Sequence, residues 1–98
     1  MLTRDDVIRN LRDHEAELRA GGVAALFLFG SVARAEAGPA SDVDLFFDYS
    51  DPRFSLIELL QLQDRVATIL GRDSDLMTRG SLHPMLRDGI ERSAIRVF

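Results

Sequence analysis

A chain of 98 residues, 46% hydrophobic and 29% charged, has the balance of one small globular domain spanning residues 1–98, not of a disordered or collagen-like chain. It has no cysteine, which excludes a disulfide framework, a thiolate metal site and a cysteine nucleophile. The net charge is −4, and all 12 basic residues are arginines scattered singly, so direct nucleic-acid binding is not expected and any cationic phosphate contact must come from arginine.

Thr3 is placed to cap a first helix, with Asp5 and Asp6 in its positive first turn. Val7, Ile8, Leu11 and Leu18 give it a sparse apolar stripe, and Gly21-Gly22 stops it. Val23 to Phe29 is a continuous apolar run bounded by glycines, the pattern of a buried central strand. At seven residues it is the longest apolar run in the chain, far short of the roughly 20 that a bilayer span needs. The N-terminus shows no basic start followed by an apolar stretch; no secretory signal is read there, and the expected compartment is the cytoplasm.

Gly30-Ser31 ends the strand sharply, Val32 to Ala37 reads as a short helix, and Gly38-Pro39-Ala40-Ser41 as a turn. Asp42 to Asp48 alternates in part: Val43, Leu45 and Phe47 face one way, and Asp42, Asp44, Phe46 and Asp48 the other. A second strand is expected there. Asp51-Pro52 opens a third helical segment, whose broad apolar face runs through Leu56, Ile57, Leu59, Leu60, Leu62, Val66, Ile69 and Leu70 to Gly71. Asp73 to Thr78 is a short third strand. Ser81 is placed to cap a last helix with Pro84 in its first turn and Leu82, Met85, Leu86 and Ile90 on its core face. Ala94 to Phe98 supplies a terminal strand or an extended tail. The order α-β-α-β-α-β-α, with that strand, predicts an α/β (α+β) fold: a small mixed sheet flanked by helices. A chain this short buries only about 60–65% of its unfolded surface, so a partner subunit would help its core.

Three features gather at the carboxyl ends of the expected strands. Gly30 lets the backbone approach a ligand closely, and a following helix would aim free N–H groups at the same place, beside the Ser31 hydroxyl. For a lone Gly-Ser pair, ordinary strand-to-helix turn chemistry is the plainer explanation. In Ser41-Asp42-Val43-Asp44, two carboxylates share a strand face and repel unless a cation lies between them. Hard divalent ions do that, and Mg²⁺ takes one or two carboxylates plus substrate phosphates. Solvent-facing aspartates at a strand edge are the plainer explanation, weakened because Asp is disfavoured in strands. The third feature is a further carboxylate before Leu76-Met77, able to complete a two-metal site or take a proton from an attacking hydroxyl. Asp73 and Asp75 share alternation parity, so spacing alone does not choose between them; Asp75, against the apolar pair, is favoured.

Gly30-Ser31-Val32-Ala33-Arg34 followed by Ser41-Asp42-Val43-Asp44-Leu45 resembles the signature of the polymerase-β-type nucleotidyltransferases, and Asp75-Leu76-Met77 fits that family's third acidic position. The resemblance is closest to the minimal nucleotidyltransferases (MNT), the antitoxin side of HEPN–MNT toxin–antitoxin pairs, with the aminoglycoside nucleotidyltransferases as relatives. It covers nearly the whole chain, because Leu82, Leu86, Ile90 and Val97 fit the minimal domain's last helix and strand. One position departs: the family often has glycine after the arginine, and here it is Ala35, which predicts an altered loop.

The resemblance implies a polymerase-β-like core and transfer of AMP from ATP to a hydroxyl, with release of pyrophosphate. It implies Asp42, Asp44 and Asp75 as catalytic residues and as ligands of two Mg²⁺ ions, with Gly30, Ser31, Ser41 and Arg34 toward the nucleotide and its phosphates. Arg79 is a further candidate for phosphate contact, although both arginines are also read as simply exposed. His14 and His83 are read as non-catalytic. Larger relatives carry a helical domain that helps bind the acceptor, so here the acceptor or part of its pocket is expected from another molecule: a cognate HEPN ribonuclease toxin, modified on a tyrosine, in a prokaryotic cytoplasm. An oligomer or hetero-complex is expected. A binding module that inhibits its partner by contact alone, and a small-molecule modifier of the aminoglycoside type, are the alternatives.

Overall fold

In the computed structural model, residues 3–36 and 42–98 are described. Helices α1 (Arg4–Asp13) and α2 (Glu15–Ala20) lead into strand β1 (Val23–Phe29) and the four-residue helix α3 (Gly30–Ala33). Strand β2 (Val43–Tyr49), helix α4 (Leu56–Leu70) and strand β3 (Ser74–Thr78) follow, and a 3-10 turn (Arg79–Ser81), helix α5 (Pro84–Ser93) and strand β4 (Ile95–Arg96) complete the chain. The expected mixed α/β architecture is present. The sheet order is β3-β2-β1-β4, with β1 antiparallel to β2 and β4, and β2 parallel to β3. The last residues extend the pairing: Val97 N–H donates to Leu26 O, and Leu26 N–H to Phe98 O.

The first helix starts as its sequence dictates. Thr3 Oγ accepts from Asp6 N–H at 3.1 Å and the Asp6 carboxylate accepts from Thr3 N–H at 3.0 Å, a closed capping box. Its expected run to Gly21 is broken at His14, whose ring Nδ1 lies 2.8 Å from Asn10 O while its backbone N–H turns to Leu11 O. A side chain has taken over a ladder carbonyl there, the local competition that ends helices. The stripe survives the break, with Val7, Leu11 and Leu18 fully buried.

One face of the sheet carries the core. Val43, Leu45 and Phe47 of β2 are inaccessible and join Val7, Leu11, Leu18, Leu62, Val66 and Leu70 in one cluster. Phe46 is also buried, but on the opposite face, where its ring stacks on Phe27 with centroids 4.7 Å apart and planes 9° apart.

The later helices α4 and α5 also differ from expectation. α4 starts at Leu56 rather than Asp51, because Ser55 and Glu58 form its capping box. Asp51 instead accepts Arg53 N–H in a turn. Its buried seam is the i, i+4 stripe Leu62, Val66, Leu70, with Leu59 and Ile69 beside it. Leu56, Ile57 and Leu60 are more than half exposed, so the broad face of the sequence is wider than the surface it meets. α5 is capped by His83, whose Nδ1 accepts Met85 N–H at 3.2 Å, with Pro84 at the first position. Ser81 lies in the preceding turn, its hydroxyl 2.8 Å from that of Thr78. Leu82 is buried, but Met85 and Leu86 are exposed and Ile90 is half-buried. The helix has no fully buried residue, so its expected core face is largely a surface.

Ser74, at the start of β3, is buried with its hydroxyl unpartnered among the described residues. A buried hydroxyl without a partner costs on the order of 1–3 kcal/mol. Ser74→Ala removes that cost, and urea unfolding of the variant is expected to show a gain of about 1 kcal/mol; an unchanged or lower midpoint would mean that the hydroxyl has a partner.

Candidate active site

Asp44 is the geometric centre of the acidic cluster. In the sheet it stands between Phe29 of β1 and Asp75 of β3, its register partners on either side. Adjacent strands lie about 4.8 Å apart, and register partners in a parallel pair point to the same face, so the Asp44 and Asp75 carboxylates emerge side by side. Asp42 precedes β2 by one residue and is exposed. Asp75, inside the strand and exposed, is the residue that faces Asp44. Asp73 lies outside β3 and contributes its backbone carbonyl to Val43 N–H.

Gly30 follows Phe29 at φ +77, a conformation that glycine adopts without strain. A Cβ there would run into the Asp44 carboxylate. The first residue of α3 is thus a glycine for two reasons, backbone and space, and the second brings the Gly30-Ser31 turn directly against the central acid. α3 has too few residues to hold itself. It is anchored by Val32 and Ala33, both buried, and by Arg4 of α1, whose guanidinium donates to Ala33 O at 3.3 Å. It is shorter than the expected Val32 to Ala37 helix, because Ala35 turns left-handed at φ +58. That is the usual glycine position after a helix end. It is also the site where the sequence departs from its resemblance.

The electrostatics follow from this crowding. Partial burial pushes the Asp44 carboxyl above its usual range, the neighbouring charges of Asp75 and then Asp42 push it further, and the Arg34 guanidinium opposes them. Arg34 is exposed and pairs with Glu36 at 3.0 Å. Ser41, and the turn Gly38 to Ser41 with it, lie outside the described residues. Arg79 is engaged on every side: its Nε and Nη2 donate to the two Asp48 oxygens at 2.8 and 3.0 Å, its Nη1 is 3.5 Å from Glu91, and its plane lies over Phe27 and Phe46. The sequence reading missed this Asp48–Arg79–Glu91 network. Its signal was the shared parity of Asp44, Phe46 and Asp48, which puts an acid at each end of one strand face.

These residues fit a hard divalent ion of the open kind. Among the described residues no three acidic or histidine side chains converge into a closed cage. Two adjacent carboxylates, a third on the rim and a glycine turn beside them suit an ion that keeps its waters and shares ligands with a phosphate. A cavity of about 850 Å³ between the helices, lined by His14, Glu17, Gln61, Asp64, Arg65, Thr68 and Ile69, shares no residue with this cluster.

Residues 8–97 match the family model described as a nucleotidyltransferase domain. The chain belongs to that family. It is 34% identical to protein adenylyltransferase MntA of Thermococcus cleftensis, covering 98% of this chain and 93% of the relative. A solved structure described as a candidate minimal nucleotidyltransferase superposes with a TM-score of 0.77 at 33% identity, covering 92% of each chain. The fold also matches a structure of an AMPylated HEPN toxin from Shewanella oneidensis in complex with an MNT antitoxin, with a TM-score of 0.62 at 20% identity over 90% of this chain and 70% of that one. The resemblance read from Gly30-Ser31 and Asp42-Val43-Asp44 is therefore correct at the level of family and fold.

Within this nucleotidyltransferase domain, Asp44 is held at a cost. A carboxyl that binds its proton more tightly when folded adds stability in acid and loses it as the pH rises through the folded value. In metal-free buffer at pH 7 Asp44→Asn is expected to melt above the wild type, with the difference shrinking as the pH falls into the usual carboxylate range. Equal melting at pH 7 would contradict the crowding. Ala35→Gly relieves a left-handed alanine, worth about 1 kcal/mol after glycine's own entropy cost, and should raise the thermal midpoint.

Proposed function

We propose that this nucleotidyltransferase is an Mg²⁺-dependent protein adenylyltransferase that moves AMP from ATP onto a hydroxyl of a cognate HEPN toxin, a tyrosine hydroxyl by the family resemblance, and so acts as its antitoxin. The observation that carries the reading is the rung Phe29–Asp44–Asp75 with Gly30 pressed against the Asp44 carboxylate. It puts a glycine turn directly beside acids that need positive charge. The 34% identity to protein adenylyltransferase MntA over nearly the whole chain supports protein as the acceptor class.

In the reaction, the acceptor oxygen attacks the α-phosphorus of ATP, the bond to the β-phosphate oxygen breaks, and pyrophosphate leaves. Asp42, Asp44 and Asp75 would hold the metal, which when bound supplies charge neutralisation at the phosphates. Gly30 and Ser31 offer backbone and hydroxyl donors to the leaving phosphates, and Arg34 adds a cation at the same end of the sheet. Asp75, exposed on the rim, is placed to accept the proton of the incoming hydroxyl. Catalysis is then mostly positioning and electrostatics, as phosphoryl transfer generally requires. Partner binding has apolar surface to draw on, since Leu56, Ile57 and Leu60 of α4 and Met85 and Leu86 of α5 are exposed.

With ATP labelled in the α-phosphate, Mg²⁺ and the cognate toxin, the wild type is expected to transfer label to the toxin. Asp42→Ala combined with Asp44→Ala should lower transfer by at least a thousandfold and abolish neutralisation. Undiminished transfer by the double variant would refute the mechanism. Neutralisation that persists without transfer would show inhibition by contact alone.

A further inference from the structure

Asp44 faces Asp75 only while β3 keeps its register on β2. Little in the core enforces that register. β3 is a five-residue edge strand whose helix-facing positions are Ser74, Leu76 and Thr78. Leu76 is the one large apolar anchor among them, and Ser74 brings an unpartnered hydroxyl. A slip by two residues would leave every side chain on its own face, so the hydrophobic pattern opposes it weakly. At the acid end, the pair itself pushes the strands apart, because like charges directly opposite destabilise a sheet.

The opposite-charge rung stands four residues along the same face. Beyond the last pair of the ladder, Phe47 with Thr78, come Asp48 and Arg79, joined by two hydrogen bonds of 2.8 and 3.0 Å. A planar guanidinium gripping both carboxylate oxygens fixes direction as well as distance, which an ammonium does not. The grip is braced from both sides: the guanidinium lies 4.9 Å from the Phe27 ring centre and 5.1 Å from that of Phe46. Its remaining nitrogen is 3.5 Å from Glu91 of α5, whose other oxygen accepts from Arg87. The Arg79 and Asp48 side chains are only 29% and 37% exposed, so solvent and salt screen this pair less than an open one.

We propose that Arg79 is a positioning residue of the acid site: its two-pronged grip on Asp48 pins β3 to β2 in the register that holds Asp75 opposite Asp44. The inference deepens the adenylyltransferase reading and rests on it for its catalytic consequence. It gives Arg79 a task remote from the phosphates, since each guanidinium nitrogen is already engaged within the fold.

The test uses the full chain with Arg79→Lys, Arg79→Ala and Asp48→Asn, and Arg92→Ala on the exposed side of α5 as control. AMP transfer to the toxin is expected to lose at least tenfold in kcat in all three variants, including the lysine that keeps the charge, with KM for ATP within twofold. Amide hydrogen exchange, measured without nucleotide or metal, should accelerate at least tenfold in β3 relative to β1. The control should change neither. Should Arg79→Ala fail to fold, the Lys and Asn variants carry the test. A raised KM with unchanged kcat would make Arg79 a nucleotide contact and overturn the proposal, as would unchanged exchange in β3. If the wild type itself transfers no AMP, the functional reading falls, and the exchange result alone decides whether Arg79 holds the register.

Discussion

Two carboxylates held side by side on adjacent strands are the constraint around which the rest of this molecule is arranged. Unit charges about 5 Å apart repel by on the order of 1–3 kcal/mol in surroundings between bulk water and a protein surface. A domain of this size has a total stability of only about 5–15 kcal/mol. The Asp44–Asp75 rung therefore uses an appreciable fraction of what the fold has available, and Asp42 adds to it. Nothing in folding favours such an arrangement; under the proposed function a divalent ion would. The raised proton affinity of Asp44 is caused first by its burial and then by its acidic neighbours.

The two faces of the sheet divide the work. On one, Val43, Leu45 and Phe47 pack under α1, α2 and α4 in a continuous apolar cluster. On the other, the same strand presents Asp44, Phe46 and Asp48 in sequence. Period-two alternation makes this division unavoidable: each residue that anchors β2 in the core turns its neighbour toward the site. The stacked aromatic pair Phe27–Phe46 separates the repelling acid rung from the attractive Asp48–Arg79 rung. An apolar patch thus lies between two charged ends, one of like charges and one of opposite charges.

This arrangement explains what was legible in the sequence. β1 was readable to the residue because a seven-residue apolar run between glycines has few other folds open to it. The acid cluster was readable because aspartates inside a strand violate local preference, and such violations concentrate where function outweighs stability. Asp73 and Asp75 were inseparable by parity; only strand pairing, a long-range fact, sets Asp75 opposite Asp44. The helices were read too generously. Leu56, Ile57, Met85 and Leu86 fit an apolar face by spacing, yet spacing does not reveal how much sheet that face has to cover. The break at His14 and the caps at Ser55 and His83 were set by local side-chain hydrogen bonds, which periodicity does not register.

Ala35 and Gly30 show how finely the turn beside the acids is balanced. Both have positive φ, but a side chain is excluded at Gly30 by the Asp44 carboxylate, whereas Ala35 carries its methyl in a left-handed conformation at the end of α3. Substitution by a larger residue is thus tolerated where the loop faces outward and barred where it meets the acid. The left-handed backbone of Ala35 falls six residues from the end of β1, beyond the buried Val32 and Ala33 that anchor α3. A departure from the family pattern can then alter the loop while the approach of the Gly30 backbone to Asp44 is set independently by the pairing of β1 with β2.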